Sequence, residues 1–190
     1  MKKFGPLMIV GVIVIVLVIV FFSSYNGFVE KEENVDQAYA QIENQLQRRL
    51  DLIPNLVNTV KGYAKQETEV IQSVSDARAK LAGANTPAEQ AEADSRLTGA
   101  LSRLLVVVEN YPELKSNENF IQLSDEIAGT ENRLAVARQD YNEEVADYNR
   151  SVKKFPGAFT ARIFGFDEKE YFKSSENANE APTVDFGATE

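Results

Sequence analysis

Sixteen consecutive residues near the start of the chain, beginning at Leu7 and ending at Phe22, are apolar or glycine. Most are Val or Ile, and Gly11 is the one small residue among them. As a helix this run covers about 24 Å at 1.5 Å per residue. Phe4, Gly5 and Pro6 before it and Tyr25 after it extend the span to roughly 30 Å, the thickness of one hydrocarbon core. A segment apolar on every side has no polar face to show to water. A buried core element and a cleaved signal peptide are the rival readings. The run is longer than a usual signal-peptide core, and Phe22-Ser23-Ser24 is a poor small-x-small cleavage site. The sequence therefore predicts an uncleaved signal anchor with short flanks over residues 1–26.

Orientation follows from Lys and Arg near the two ends of the span. Lys2 and Lys3 precede it, and only Lys31 follows closely, among Glu30, Glu32, Glu33 and Asp36. Acidic residues hardly count under this rule, so the balance favours a cytoplasmic N-terminus and a large domain outside.

Beyond the anchor the apolar residues fall on heptads. One seam reads Val35, Ile42, Arg49, Leu56, Tyr63, Val70, Ala77, and the other Tyr39, Leu46, Ile53, Val60, Glu67, Val74, Leu81. Arg49 and Glu67 are the two charged positions. The pattern predicts one helical path from about residue 28 to 84, roughly 70 Å or more. Pro54 lies inside it, and an interior proline costs about 3 kcal/mol. The seams keep register across Pro54, which favours a kink over a split.

Thr86-Pro87-Ala88-Glu89 reads as the start of the next helix. Thr86 caps, Pro87 suits the first helical position and Glu89 completes a capping box. Its expected apolar face is Leu97, Leu101, Leu104, Leu105 and Val108, and Pro112 ends it. A third long helix is expected over residues 117–154, with Phe120, Ile127, Leu134, Tyr141, Val145 and Tyr148 at three- and four-residue steps. Residues 159–166 read as one more helical turn folding back, and residues 174–190 as an acidic, mobile tail. Within that tail, residues 182–186 read either as an extended docking peptide or as incidental apolar residues.

The fold class is thus all-α: a transmembrane helix followed, over residues 27–173, by an elongated antiparallel bundle of three long helices, or four if the first splits at Pro54. The second helix is shorter than its neighbours, so part of the long seam is expected to lie uncovered. Exposed apolar surface is unfavourable, which motivates self-association or a partner helix. The alternative is that the kink at Pro54 folds the first helix onto itself and closes the core.

The chain has no His, no Cys and no Trp, and its net charge is −9. Thiolate or imidazole zinc sites, Ser–His or Cys–His nucleophiles and disulfides are therefore excluded. An acidic chain is a poor phosphate binder, which argues against nucleic-acid partners. Adjacent acids such as Glu143-Glu144 diverge by about 100° on a helix and read as a solvated face. No metal, cofactor or catalytic residue is assigned.

Two clusters remain as candidate interaction or register-setting residues. The first is Arg48, Arg49, Asp51 and Pro54. Arg49 on the seam needs a partner, with Glu67, Glu109 and Glu131 the candidates; the functional alternative is an Arg pair that grips a ligand. The second comprises Glu131, Arg138, Tyr141, Asn142, Tyr148 and Asn149. The two Tyr-Asn pairs are seven residues apart and share a face. They read as core tyrosines with interhelical hydrogen bonds, or as the wall of a small-ligand site.

Taken together, several segments resemble the LemA family of bacterial membrane proteins. They are Tyr25-Asn26, Gln47-Arg48-Arg49-Leu50-Asp51-Leu52-Ile53-Pro54-Asn55-Leu56-Val57, Glu109-Asn110-Tyr111-Pro112-Glu113-Leu114-Lys115, Thr130-Glu131-Asn132-Arg133, Ala137-Arg138-Gln139-Asp140-Tyr141-Asn142 and Tyr148-Asn149. The resemblance implies a single-pass protein of the bacterial cell membrane with a helical-bundle domain, and no enzymatic activity or cofactor. One branch of the family takes part in magnetosome membrane formation, which suggests membrane organisation by analogy. The expected function is a non-enzymatic, membrane-anchored scaffold. It would contact lipid through its first helix and bind protein partners or further copies of itself. The alternative is a sensor with Arg48, Arg49, Tyr141 and Tyr148 lining a groove between helices.

Overall fold

The computed structural model describes residues 4–173, with side chains from residue 8 onward. The expectations for residues 174–190, including the docking peptide, lie outside the described residues. The described chain is all-helical, with no strand. In order, the helices are α1 (Phe4–Tyr63), α2 (Thr68–Ala82), α3 (Pro87–Val108), α4 (Pro112–Lys115), α5 (Glu118–Lys153) and α6 (Gly157–Phe164). They form two compact units. Of the described residues, one holds those up to Gln45 together with Glu131–Tyr171, and the other holds Leu46–Thr130 with residues 172–173.

The first helix departs from the expected path at its end. It stops at Tyr63 rather than near residue 84, and the chain reverses over residues 64–67 into α2. The marker of this reversal is Glu67, the second charged seam position. Its carboxylate accepts a hydrogen bond from the Tyr111 hydroxyl at 2.9 Å, so it serves a corner instead of a core. Ala64 N–H still bonds Val60 at 2.8 Å, closing the last turn of α1. The Asn117 side-chain amide donates to the Tyr63 hydroxyl at 3.0 Å and ties α5 to the same end.

Pro54, by contrast, does not break the helix, which runs through it without interruption. A proline lacks the N–H that would bond the carbonyl four residues earlier, here that of Leu50. Arg78 of α2 fills the gap, its Nε donating to the Leu50 carbonyl at 2.8 Å. The orphaned acceptor is satisfied from a neighbouring helix, which is one of the few ways a buried carbonyl avoids a penalty.

Because α2 folds back, the seam is covered within the chain. Leu46, Leu50, Ile53, Leu56, Val57 and Val60 of α1 are buried, as are Ile71, Val74, Ala77 and Leu81 of α2. The uncovered seam expected from a longer first helix is absent, and with it the area argument for self-association. The core closes as the alternative required, but the hinge is residues 64–67 and not Pro54. On α3, Leu97, Leu101, Leu104 and Val108 are buried as expected, whereas Leu105 faces out at 47% exposure. The Thr86–Glu89 capping box forms. Backbone hydrogen bonds from Asn85 and Thr86 hold the Glu89 carboxyl below its ordinary pKa.

In the other unit α1 and α5 pair antiparallel. Lys31 bonds Asp147, the Tyr39 and Tyr141 rings meet at a tilt with centres 5.5 Å apart, and Arg133 donates to Gln45 at 3.2 Å. Val35 and Ile42 of α1 and Leu134, Ala137, Val145 and Tyr148 of α5 form its core. From Met8 to Phe22 the side chains of α1 are largely exposed, and this stretch is long and apolar enough to cross a membrane.

Arg78 and Pro54 are thus energetically coupled. Arg78→Met should destabilise the fold by about 1–3 kcal/mol through the unpaired Leu50 carbonyl. In a Pro54→Ala background the restored backbone N–H should reduce that cost by at least ~1 kcal/mol. Denaturant unfolding of the four proteins in the cycle measures the coupling; strict additivity would contradict it.

Candidate functional site

Arg49 is the largest fully buried side chain that carries charge, at 1% exposure. It pairs with Asp94 on α3, also 1% exposed, an acid outside the three expected from the sequence. A second guanidinium nitrogen donates to the Thr98 hydroxyl at 3.2 Å. Removing one member of such a pair strands the other and costs about 3–5 kcal/mol. The pair fixes the register of α1 against α3, and with this burial Arg49 offers no surface to a ligand. Asp94 was hard to find from sequence because it sits in the Ala- and Glu-rich start of α3, with no pattern to mark it as buried.

Arg48 points elsewhere. It is exposed and pairs with Glu126 of α5. This pair borders an open groove of about 620 Å³ between α1 and α5, lined also by Asn55, Asn58, Thr59, Asn119 and Gln122. Carboxamides and a hydroxyl offer both donors and acceptors, so the wall suits a neutral polar group. Asp51 accepts from Gln47 at 2.8 Å on the exposed face, and Pro54 is half-buried in the helix described above. Of the four residues expected to line a ligand groove, Arg48 alone lines this one.

The Tyr-Asn pairs serve a different purpose. After α6, Gly165 adopts the left-handed conformation at φ 75° and reverses the chain. Residues 166–171 then run back along α5 as an extended strap. The Asn149 amide clamps this strap at two points. It donates to the Lys169 carbonyl at 2.9 Å and accepts from the Lys169 N–H at 2.8 Å. Farther along, the Tyr141 hydroxyl donates to the Glu170 carbonyl at 2.8 Å. The Lys169 ammonium pairs with Glu32 of α1 at 2.7 Å and lies 5.9 Å from the centre of the Tyr148 ring, within cation–π range. So the rings are core, as expected, but their polar partner is a strap and not a facing helix. Nothing in residues 166–171 is periodic, which is why sequence reasoning passed over it.

Burial pushes the Tyr141 hydroxyl up to about 12, helped by the neighbouring Tyr39, Glu170 and Asp36. Burial likewise raises Tyr148 to about 12, with Glu32, Asp167 and Asp36 adding to it. Both rings stay neutral under physiological conditions. The Tyr148 hydroxyl is buried and makes no hydrogen bond among the described residues. Asn142, Glu131 and Arg138 are half-buried on the same helix, α5. Among the described residues no group of three or more acidic side chains is placed to hold a metal ion.

Comparison with known proteins agrees with the motifs. The LemA family profile matches residues 38–186, so the match begins beyond the apolar span. Magnetosome protein MamQ 2 of Paramagnetospirillum magneticum is 29% identical over 95% of this chain and 77% of its own length. Magnetosome protein MamQ of Magnetospirillum gryphiswaldense is 27% identical with the same coverage. Protein LemA of Metamycoplasma hominis is 22% identical over 83% of this chain and 72% of its own.

Asn149 and Tyr148 separate clamp from filler. Asn149→Leu should lose about 2–3 kcal/mol of stability and release the Lys169 amide to fast exchange, because both strap groups lose their partner. Tyr148→Phe should lie within about 1 kcal/mol of the natural protein, since its hydroxyl has no bond to lose. Thermal unfolding with amide exchange checks both; equal losses would contradict the assignment.

Proposed function

The chain belongs to the LemA family, and on that premise we propose that it is a non-enzymatic interaction protein tethered to the bacterial cell membrane by α1. The observation that carries the reading is the dual use of one helix. The stretch from Met8 to Phe22 is apolar and exposed, while Val35, Ile42 and Ile53 of the same helix are buried in the folded chain. A helix built this way holds a folded body at a bilayer surface without a linker.

The chemistry of the chain supports a non-enzymatic role. With no His or Cys, nucleophile–base pairs of the usual kinds cannot form. Arg49, the residue best suited to grip an anion, is committed to Asp94. The relatives named as magnetosome proteins support a role in membrane or envelope organisation, with protein partners met on the exposed faces of α3 and α5. The seam offers no support for self-association. A second reading, a sensor for a neutral polar ligand, draws on the amide-lined groove beside Arg48.

The lysine count supports an orientation with the folded part outside the cytoplasm. The chain has no Cys, so one engineered thiol reports topology. Val136→Cys, at an exposed position of α5, should react with a membrane-impermeant maleimide in intact cells or spheroplasts. The protein should stay with the membrane pellet after alkaline carbonate extraction. Labelling seen only after lysis would overturn the orientation, and release by carbonate would overturn the anchor.

A further inference from the structure

The short helix α6 is built inside out for a helix in water. Its inward face is small: Thr160 and Ala161 are buried. Gly157 lies so close to α1 that an added Cβ would come within 3.0 Å of the Phe28 ring and 2.7 Å of the Ser151 carbonyl. Phe159 and Ile163 point outward instead, while Phe164 packs against α1 and keeps one edge open. Phe159 is 66% exposed, Ile163 53% and Phe164 44%, and Phe155 just before the helix is 90% exposed. Four large apolar groups within ten residues make a patch of the kind that marks an interaction surface.

The level of this patch is fixed by what α6 touches. Its N-terminal end meets Phe28. At its C-terminal end the Phe164 ring lies 4.7 Å from Tyr25 and 5.1 Å from Phe21. The helix thus descends along α1 towards the apolar span, which ends at Phe22. Gly165 turns the chain at the bottom, and Phe166 climbs back to within 5.6 Å of Tyr25 and 5.2 Å of Phe28. Asn149 then holds the returning strap. The product is a finger, helix down and strap up, whose tip reaches the level where α1 enters the bilayer.

We infer that this finger is a second membrane contact, with Ile163 and Phe164 seated at the acyl boundary of a phospholipid bilayer and Phe159 among the headgroups. The inference rests on α1 crossing that bilayer. Apolar and aromatic side chains on a short interfacial helix bury their surface at this boundary, and aromatic rings favour it. Arg162 lies beside Ile163 and is exposed, so it meets lipid phosphate from the same face. Lys153 and Lys154 stand at the base of the finger. The acids Asp167 and Glu168 lie on the strap, and Glu168 is held by Lys153 at 2.7 Å. Insertion is therefore driven chiefly by apolar area. Two contacts, span and finger, restrict the tilt of α1 relative to the bilayer more than a span alone.

The chain has no Trp, so single introduced tryptophans are clean depth reporters. Full-length protein with one Trp is reconstituted in phosphatidylcholine nanodiscs, with and without brominated acyl chains. Phe22→Trp reports the span, Ile163→Trp and Phe159→Trp the finger, and Val136→Trp an exposed site on α5. Val136 lies near the level of Gln45, since Arg133 bonds that residue. It is thus about 30 Å along α1 from the span. The expected order of bromine quenching is Phe22→Trp and Ile163→Trp strong, Phe159→Trp weaker, and Val136→Trp absent. If Phe22→Trp is quenched while both finger sites match Val136→Trp and yield to aqueous iodide, the finger faces water and the inference falls. If the finger sites resist both quenchers, another protein or a second copy covers them, and it falls equally. If Phe22→Trp is itself unquenched, the anchor reading fails first. Circular dichroism of each variant confirms that the helices are kept.

Discussion

The bond from Arg78 to the Leu50 carbonyl is small, yet much of the architecture depends on it. Pro54 removes a hydrogen bond from the middle of α1. Left unpaired, the Leu50 carbonyl would favour a break there. With Arg78 in place, α1 continues to Tyr63, and the reversal happens at residues 64–67. That position lets α2 cover Ile53, Leu56 and Val60. It also sets α3 beside α1, so that Asp94 meets Arg49. A break at Pro54 would leave each of these contacts without its partner.

How much of this was legible follows from what leaves a periodic trace. The apolar run, the heptads around Ile42 and Ile53, and the capping box at Thr86 are local or repetitive, and the structure contains all of them. The two charged seam positions were visible as anomalies, but their meaning was not. Arg49 marks a buried pair whose acid, Asp94, lies in another helix. Glu67 marks a corner, because Tyr111 draws it out of the core. The heptad alone overstates the length of the first helix, because Val70, Ala77 and Leu81 keep the same repeat after the reversal. A period survives a turn if the turn has the right length, so register alone does not prove continuity. The strap over Asn149 and Tyr141 left no trace, since backbone carbonyls and N–H groups are identical in every sequence. The candidate-site motifs were thus recognised as positions, while their partners came from the fold.

The two ends of the first unit answer a single physical problem. Where the apolar stretch of α1 ends, the helix surface turns half-polar, at Ser23, Ser24, Asn26 and Gly27. These are weak helix formers, and a hinge at this point would decouple the anchor from the folded chain. The structure places Phe21, Tyr25 and Phe28 there against Phe164 and Phe166. Ser24 also bonds back to the Val20 carbonyl at 2.8 Å. Aromatic packing from α6 and the strap thus braces the weakest stretch of α1, and the Asn149 clamp holds that brace in position.

The central claim is that anchor and core column are one uninterrupted helix. Amide hydrogen exchange of the full-length protein in nanodiscs tests it most directly, read over residues 23–34. The account predicts continuous protection from the bilayer exit through to the buried positions at Val35 and Ile42. Fast exchange confined to residues 23–30, with protection on either side, would reveal a hinge and contradict it.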